Sequence, residues 1–153
     1  MSATEGAGRS LSREARAKRV VELMFEQDAF SRWLGVEILT VEPARVVTRM
    51  TVRPEMLNGF AVCHGGVTFG FADSAFAFAC NTQGNLTVSI ENCITYPAAA
   101  RAGDVLTAVA EEEAGSNRIL YYRVAVTKAD GSPVGLFRGT AYRTEKPVPG
   151  LGA

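Results

Sequence analysis

The stretch "HGGVTFGFADSAFAFAC", His64 to Cys80, decides how the rest of the chain must fold. From Val67 to Cys80 every side chain is apolar, small or a hydroxyl except one carboxylate, Asp73. Opened by Gly65-Gly66 and closed by "NTQGN", this stretch reads as a helix over about 65–81. A helix that is apolar all round must be covered on most sides. It is too short to span a bilayer, since no uninterrupted apolar run reaches the ~20 residues a membrane span needs. The remainder of the chain must therefore supply the cover.

That remainder is mostly strand-like. "WLGVEILTVEPARVVTRMTVRP" alternates, is rich in β-branched residues and breaks at Glu42-Pro43-Ala44, which predicts strands over about 35–42 and 45–53. "PEMLNGFAVC" is a loop with Asn58-Gly59 as its turn signal. Four more strands are expected near 85–97, 103–114, 118–129 and 133–143, separated by "PAAARAGD", "AGSN" and "ADGSP". Before the first strand, residues 11–31 read as one helix, with Ser12 as cap and Ala15, Val20, Leu23, Met24 and Phe30 as its apolar stripe. The polar residues 1–10 are expected to be disordered, and the Pro/Gly-rich residues 146–153 to form a frayed tail. The fold class that satisfies this order is α+β, one domain over 11–145. A curved antiparallel sheet wraps one long central helix, with a further helix at the N-terminus.

Composition narrows the function. The chain has 153 residues, enough for one domain with a substantial core. Sixteen basic residues balance sixteen acidic ones and no basic face is visible, so nucleic acid is a poor partner. Cys63, Cys80 and Cys93 are odd in number and lack CxxC spacing, which speaks against a disulfide framework or a structural zinc site. Reduced thiols and the polar N-terminus "MSATEGAGRS", which is no signal peptide, point to the cytoplasm. His64 is the sole histidine and has no acidic cluster beside it, so no metal is expected.

Asp73 is the anomaly in the helix. Burying an unpaired carboxylate is costly, and Asp is a mediocre residue inside a helix. It either faces a solvent gap or an arginine across an interface, or it serves as nucleophile or general base in an apolar pocket. The helix start offers a complementary feature. Its first N–H groups lack internal partners, and glycine lets a substrate oxygen approach them, so Gly65 and Gly66 are candidate oxyanion donors as well as candidates for a plain tight turn. His64 and Asp73 are nine residues apart in sequence, about 13 Å of helical rise and half a turn out of phase. They do not converge within one chain. Two central helices antiparallel across a two-fold axis would bring each glycine end to the other's Asp73, which predicts a dimer with two composite sites. His64 then orients the loop by a hydrogen bond rather than moving a proton. No GxSxG motif is present, and Ser74 sits inside the helix, so a Ser-His-Asp triad is not supported.

"MLNGFAVCHGGVTFGFADSAFAFACNTQG" resembles the central segment of the PaaI-type thioesterases of phenylacetic acid degradation, within the hotdog-fold acyl-CoA thioesterases. The family pattern LNG, CHGG and LAD[ST]AFAxACN is present, with Phe71 in place of the leucine of LAD. "LFRGTAYR" resembles the family's last strand, and the order of elements matches over about 20–145. The resemblance implies a hotdog fold that dimerises side by side, often as a dimer of dimers. It implies hydrolysis of phenylacetyl-CoA or a similar aryl-acyl ester, with Asp73 attacking the thioester or activating water. The Gly65 N–H of the other subunit would polarise the carbonyl, with Asn58, His64 and Ser74 shaping the site. No cofactor is implied, coenzyme A being part of the substrate. Phe69, Phe76 and Phe78 would line an apolar pocket or pack the core. Arg101, Arg138 and Arg143 are candidates for the CoA nucleotide. Two alternatives are a hotdog hydratase or dehydratase, which wants a histidine base at a different spacing, and a non-catalytic acyl-CoA-binding module, which gains nothing from a buried carboxylate.

Overall fold

The computed structural model describes residues 10–152. Its elements are helices α1 (Arg13–Gln27), α2 (Ala29–Leu34) and α3 (Gly65–Asn81), with strands β1 (Glu37–Glu42), β2 (Arg45–Thr51), β3 (Asn85–Thr95), β4 (Val105–Gly115), β5 (Ile119–Lys128) and β6 (Pro133–Pro147). The strands form one antiparallel sheet in the order β1-β2-β4-β5-β6-β3, and α3 lies across its inner face. This is the expected hotdog arrangement of curved sheet around one helix.

Alternation along the strands explains why the helix is gripped on this side. Register aligns Val46, Ala110, Val124, Phe137 and Ile94 in one row across β2, β4, β5, β6 and β3. The first four are buried and Ile94 packs against them. Phe76 of α3 inserts between Tyr122 and Phe137, at ring separations of 5.7 and 5.6 Å. Its ring occupies the space where a Cβ on Gly139 would stand, 2.7 Å away, so the strand must carry glycine there. Phe78 points the other way and meets Phe25 of α1 edge-on at 6.2 Å.

Four features differ from the sequence expectation. The helix expected over 11–31 begins at the Ser12 cap but breaks at Asp28. The Asp28 carboxylate accepts the Ser31 N–H at 2.9 Å and starts a second, short helix, as cap-forming residues do when they compete with the helical ladder. A 3-10 turn over Pro54–Met56 follows β2, where proline can no longer serve the sheet. Strand β3 stops at Thr95, two residues short of Pro97. The tail expected to fray is packed instead: β6 runs to Pro147, and buried Val148 donates its N–H to Gly84 O at 2.9 Å. The expectation for residues 1–9 lies outside the described residues.

One side of α3 stays open. Past the first turn, the residues that escape full burial are Phe69, Asp73 and Ala77, and with exposed Gly66 they fall on one stripe at i+3 and i+4 spacing. This stripe runs beside β3, an edge strand with an unpaired backbone row and outward Val88 (44% exposed) and Ile90 (57% exposed). No helix among the described residues is long and apolar enough to cross a membrane.

Candidate active site

The loop before α3 is built to present the helix start. Asn58 Oδ1 accepts the N–H groups of Phe60 (2.9 Å) and Val62 (3.4 Å), closing a turn in which Ala61 adopts a left-handed φ of 57°. The His64 N–H is tied to Met56 O, and the Cys63 N–H to Ala100 O. His64 caps α3: its Nδ1 accepts the Gly66 N–H at 2.9 Å, which leaves the ring proton on Nε2. The His64 carbonyl accepts from Val67 and Thr68. Every N–H of the first turn is thereby engaged except that of Gly65, which has no acceptor among the described residues. The single free donor sits at the positive end of the helix dipole.

Gly65 borders a cavity of about 300 Å³ that Asn58, Thr68 and Tyr96 also line. The Tyr96 hydroxyl donates to Gly65 O at 2.9 Å, and its ring lies 3.2 Å from where a Gly65 Cβ would be. Asp73 lies two turns further along. Its Oδ1 accepts from Asn92 Nδ2 of β3 at 2.9 Å, and Ser89 Oγ in turn donates to Asn92 Oδ1 at 2.9 Å. Burial pushes the Asp73 carboxyl above the usual aspartate range, with the nearby Asp28 charge adding to the rise, while the Asn92 hydrogen bond opposes it. A half-buried carboxylate with one oriented oxygen and a raised proton affinity suits a base or nucleophile.

The comparisons with known proteins bear on this geometry. Residues 60–134 match the model of the thioesterase superfamily. The chain is 38% identical over 120 residues to the acyl-coenzyme A thioesterase PaaI of Escherichia coli K12, covering 78% of this chain and 86% of that one.

The chain belongs to the thioesterase superfamily.

It is a PaaI-type, hotdog-fold member and an enzyme of the thioester hydrolase class. The solved structure of the E. coli PaaI protein from the phenylacetic acid degradation operon superposes with a TM-score of 0.86 at 35% identity, covering 89% of this chain and 99% of that one. A hypothetical thioesterase of Streptococcus pneumoniae TIGR4, solved with coenzyme A, superposes with a TM-score of 0.76 at 26% identity, covering 82% and 98%.

Within this thioesterase the expected site residues do not form one cluster. Asn58, His64 and Gly65 gather at the start of α3, and Asp73 stands apart on the open stripe, as the spacing requires within one chain. Ser74 is turned away from Asp73's opening. Its hydroxyl is buried and shares a hydrogen bond of 2.8 Å with Ser31 Oγ, so it fastens α2 to α3. The three arginines do not converge in one chain. Arg101 lies on the loop that also carries Tyr96 and Ala100, beside the helix start. Arg138 stands on the outer sheet face, 3.7 Å from Glu113. Arg143, five residues on and so on the opposite face of the strand, turns inward, and its Nε is buried near Cys80 and Tyr122. Phe76 and Phe78 are fully buried in the core, and Phe69 meets Phe137 at 5.5 Å from the half-open stripe.

Asn92 was not singled out by the sequence, because a polar residue on an alternating strand reads as an outward position. Replacing it tests its hold on Asp73. In Asn92→Ala the donor that favours the charged carboxylate is gone, so the acidic limb of kcat/KM is expected to move to higher pH. A pH–rate profile measured on both proteins checks this; an unmoved limb would show that Asn92 does not tune the carboxylate.

Proposed function

We propose that the protein hydrolyses acyl-CoA thioesters of the aryl-acetyl class, such as phenylacetyl-CoA or hydroxyphenylacetyl-CoA, in the cytoplasm. We infer a side-by-side dimer, able to pair again as a dimer of dimers, in which Asp73 works opposite Gly65 of the partner subunit. The observation that carries this reading is the pair of complementary, unmatched groups on α3. Among the described residues the Gly65 N–H has no acceptor, and Asp73, with its raised proton affinity, stands on a stripe of α3 that no described element covers.

A two-fold axis beside β3 supplies what each half lacks. It would pair the open backbone edge, cover Val88 and Ile90, and lay the two open stripes of α3 together. The thioester carbonyl oxygen then accepts the Gly65 N–H as negative charge develops on it. Asp73 either attacks the carbonyl carbon, giving an acyl-carboxyl anhydride that water cleaves, or takes a proton from the attacking water. In both routes the carbon–sulfur bond breaks and coenzyme A leaves as a thiolate. A thiolate is a good leaving group, which suits a site without a strong general acid. Arg101, next to the helix start, is the arginine best placed to meet the nucleotide phosphates. The relationship to E. coli PaaI supports the substrate class.

The test is turnover of a panel of CoA esters, with released thiol trapped by a disulfide reagent. Phenylacetyl-CoA or its ring-hydroxylated forms are expected to give the highest kcat/KM. Tight binding of these esters without thiol release would favour the binding-module alternative instead.

A further inference from the structure

We propose that Phe30, working as a size-complementary pair with Gly70, sets which acyl groups the site accepts. Resting on the acyl-CoA reading above, this assigns a specificity-determining residue to helix α2, which Ser74 fastens to α3.

Three observations place Phe30 beside the chemistry. Its ring lies against Gly70: a Cβ there would stand 2.7 Å from the ring's Cζ. Gly70 is one turn before Asp73, and the two project from α3 about 60° apart. Phe69 projects about 40° to the other side of Asp73, toward β3 and β6, where Asn92 also stands. Asp73 therefore lies between the Phe30 ring and Phe69, and in the proposed site it forms the floor of a groove with Phe30 as one wall.

The wall is held firmly. Asp28 caps α2 through the Ser31 N–H and also accepts the Ser31 hydroxyl at 2.5 Å, so that in the 2.8 Å hydrogen bond between Ser31 and buried Ser74 the proton comes from Ser74. Ser74 directly follows Asp73, so α2 is pinned at the turn that carries the carboxylate. Phe30 nonetheless keeps half its surface open (50%) and stacks on Trp33 at 6.2 Å with 22° between the rings. An aryl-acetyl group entering the groove meets this aromatic ledge edge-on or stacked, the geometries that aromatic pairs favour. A long aliphatic chain meets it as an obstruction, because the space behind the ring is closed by Gly70 itself.

The experiment is the ratio of kcat/KM for octanoyl-CoA to that for phenylacetyl-CoA, a quantity independent of the folded fraction. Phe30→Ala is expected to raise the ratio about tenfold, from lost ring contact with the aryl substrate and from opened volume for the chain. Phe30→Leu, which keeps bulk without the aromatic face, should fall between. Gly70→Ala alone should depress turnover of both esters by displacing the ring, and Phe30→Ala/Gly70→Ala should recover turnover beyond the product of the single effects. An unchanged ratio in an active Phe30→Ala protein, or strictly additive effects in the double variant, overturns this inference alone. Absence of turnover of both esters by the unaltered protein overturns the acyl-CoA reading and this inference with it.

Discussion

Asp73→Asn is expected to reduce kcat by about 10³-fold, within the span of ~10² to 10⁴ that a positioned base contributes, while leaving the fold intact. The substitution keeps the shape and the contact with Asn92 but removes the charge. Its effect on stability should run opposite to its effect on activity. The Asp73 carboxyl is raised above its ordinary value in the folded protein, chiefly by burial. A carboxyl shifted in that direction favours the fold when protonated, and that contribution disappears as pH rises through the folded-state value. At neutral pH the charged side chain therefore opposes folding, and Asp73→Asn should melt at the same temperature as the unaltered protein or higher. The advantage should shrink as the pH falls and Asp73 takes up its proton. Thermal melts at neutral and acidic pH, beside thiol-release kinetics, check both halves. Retained kcat, or a lowered melting temperature at neutral pH, would remove Asp73 from the role given to it.

Gly65→Pro is the second variant with a large expected effect, a loss of about 10²- to 10³-fold in kcat for deleting one oxyanion donor. The backbone at this position suits proline apart from the missing N–H. Gly65 is the first residue of α3, where proline is well tolerated, and His64 before it already has the extended φ and ψ of −60° and 134° that proline demands. The added ring must move Tyr96 by a few tenths of an ångström, since that ring lies 3.2 Å from the Cβ position. Gly65→Ala makes the same demand on Tyr96 but keeps the N–H, so it serves as the control and should retain most of its activity. Equal losses in the two variants would mean that steric disturbance, and not the missing donor, is responsible.

The features that were legible in the sequence are those governed by local pattern. The limits of α3 follow from the His64-Gly65-Gly66 start and the break after Asn81, and the strands follow from alternation and Pro or Gly interruptions. Asp73 stood out because nothing else on its helix carries charge. What stayed hidden depends on contacts between distant segments. Asn92 matters only because β3 lies beside Asp73, and Ser74 became a fastener because Ser31, 43 residues earlier, is packed onto it. Arg138 and Arg143 were both candidates for the nucleotide, but they stand five residues apart and the pleat places them on opposite faces of β6. Gly70 and Gly139 are explained only by the Phe30 and Phe76 rings that fill the space of their missing side chains.

The central claim is that each site is shared: Asp73 of one chain meets Gly65 of the partner subunit. Mixing inactive Asp73→Asn with inactive Gly65→Pro subunits, after unfolding and refolding together, tests it most directly. In a mixed dimer one site carries both changes and the other carries neither. Random pairing makes half the dimers mixed, so about a quarter of the unaltered activity should return. A mixture that stays as inactive as its two components, with subunit exchange confirmed by mass, would contradict the shared site and place both groups' chemistry within a single chain.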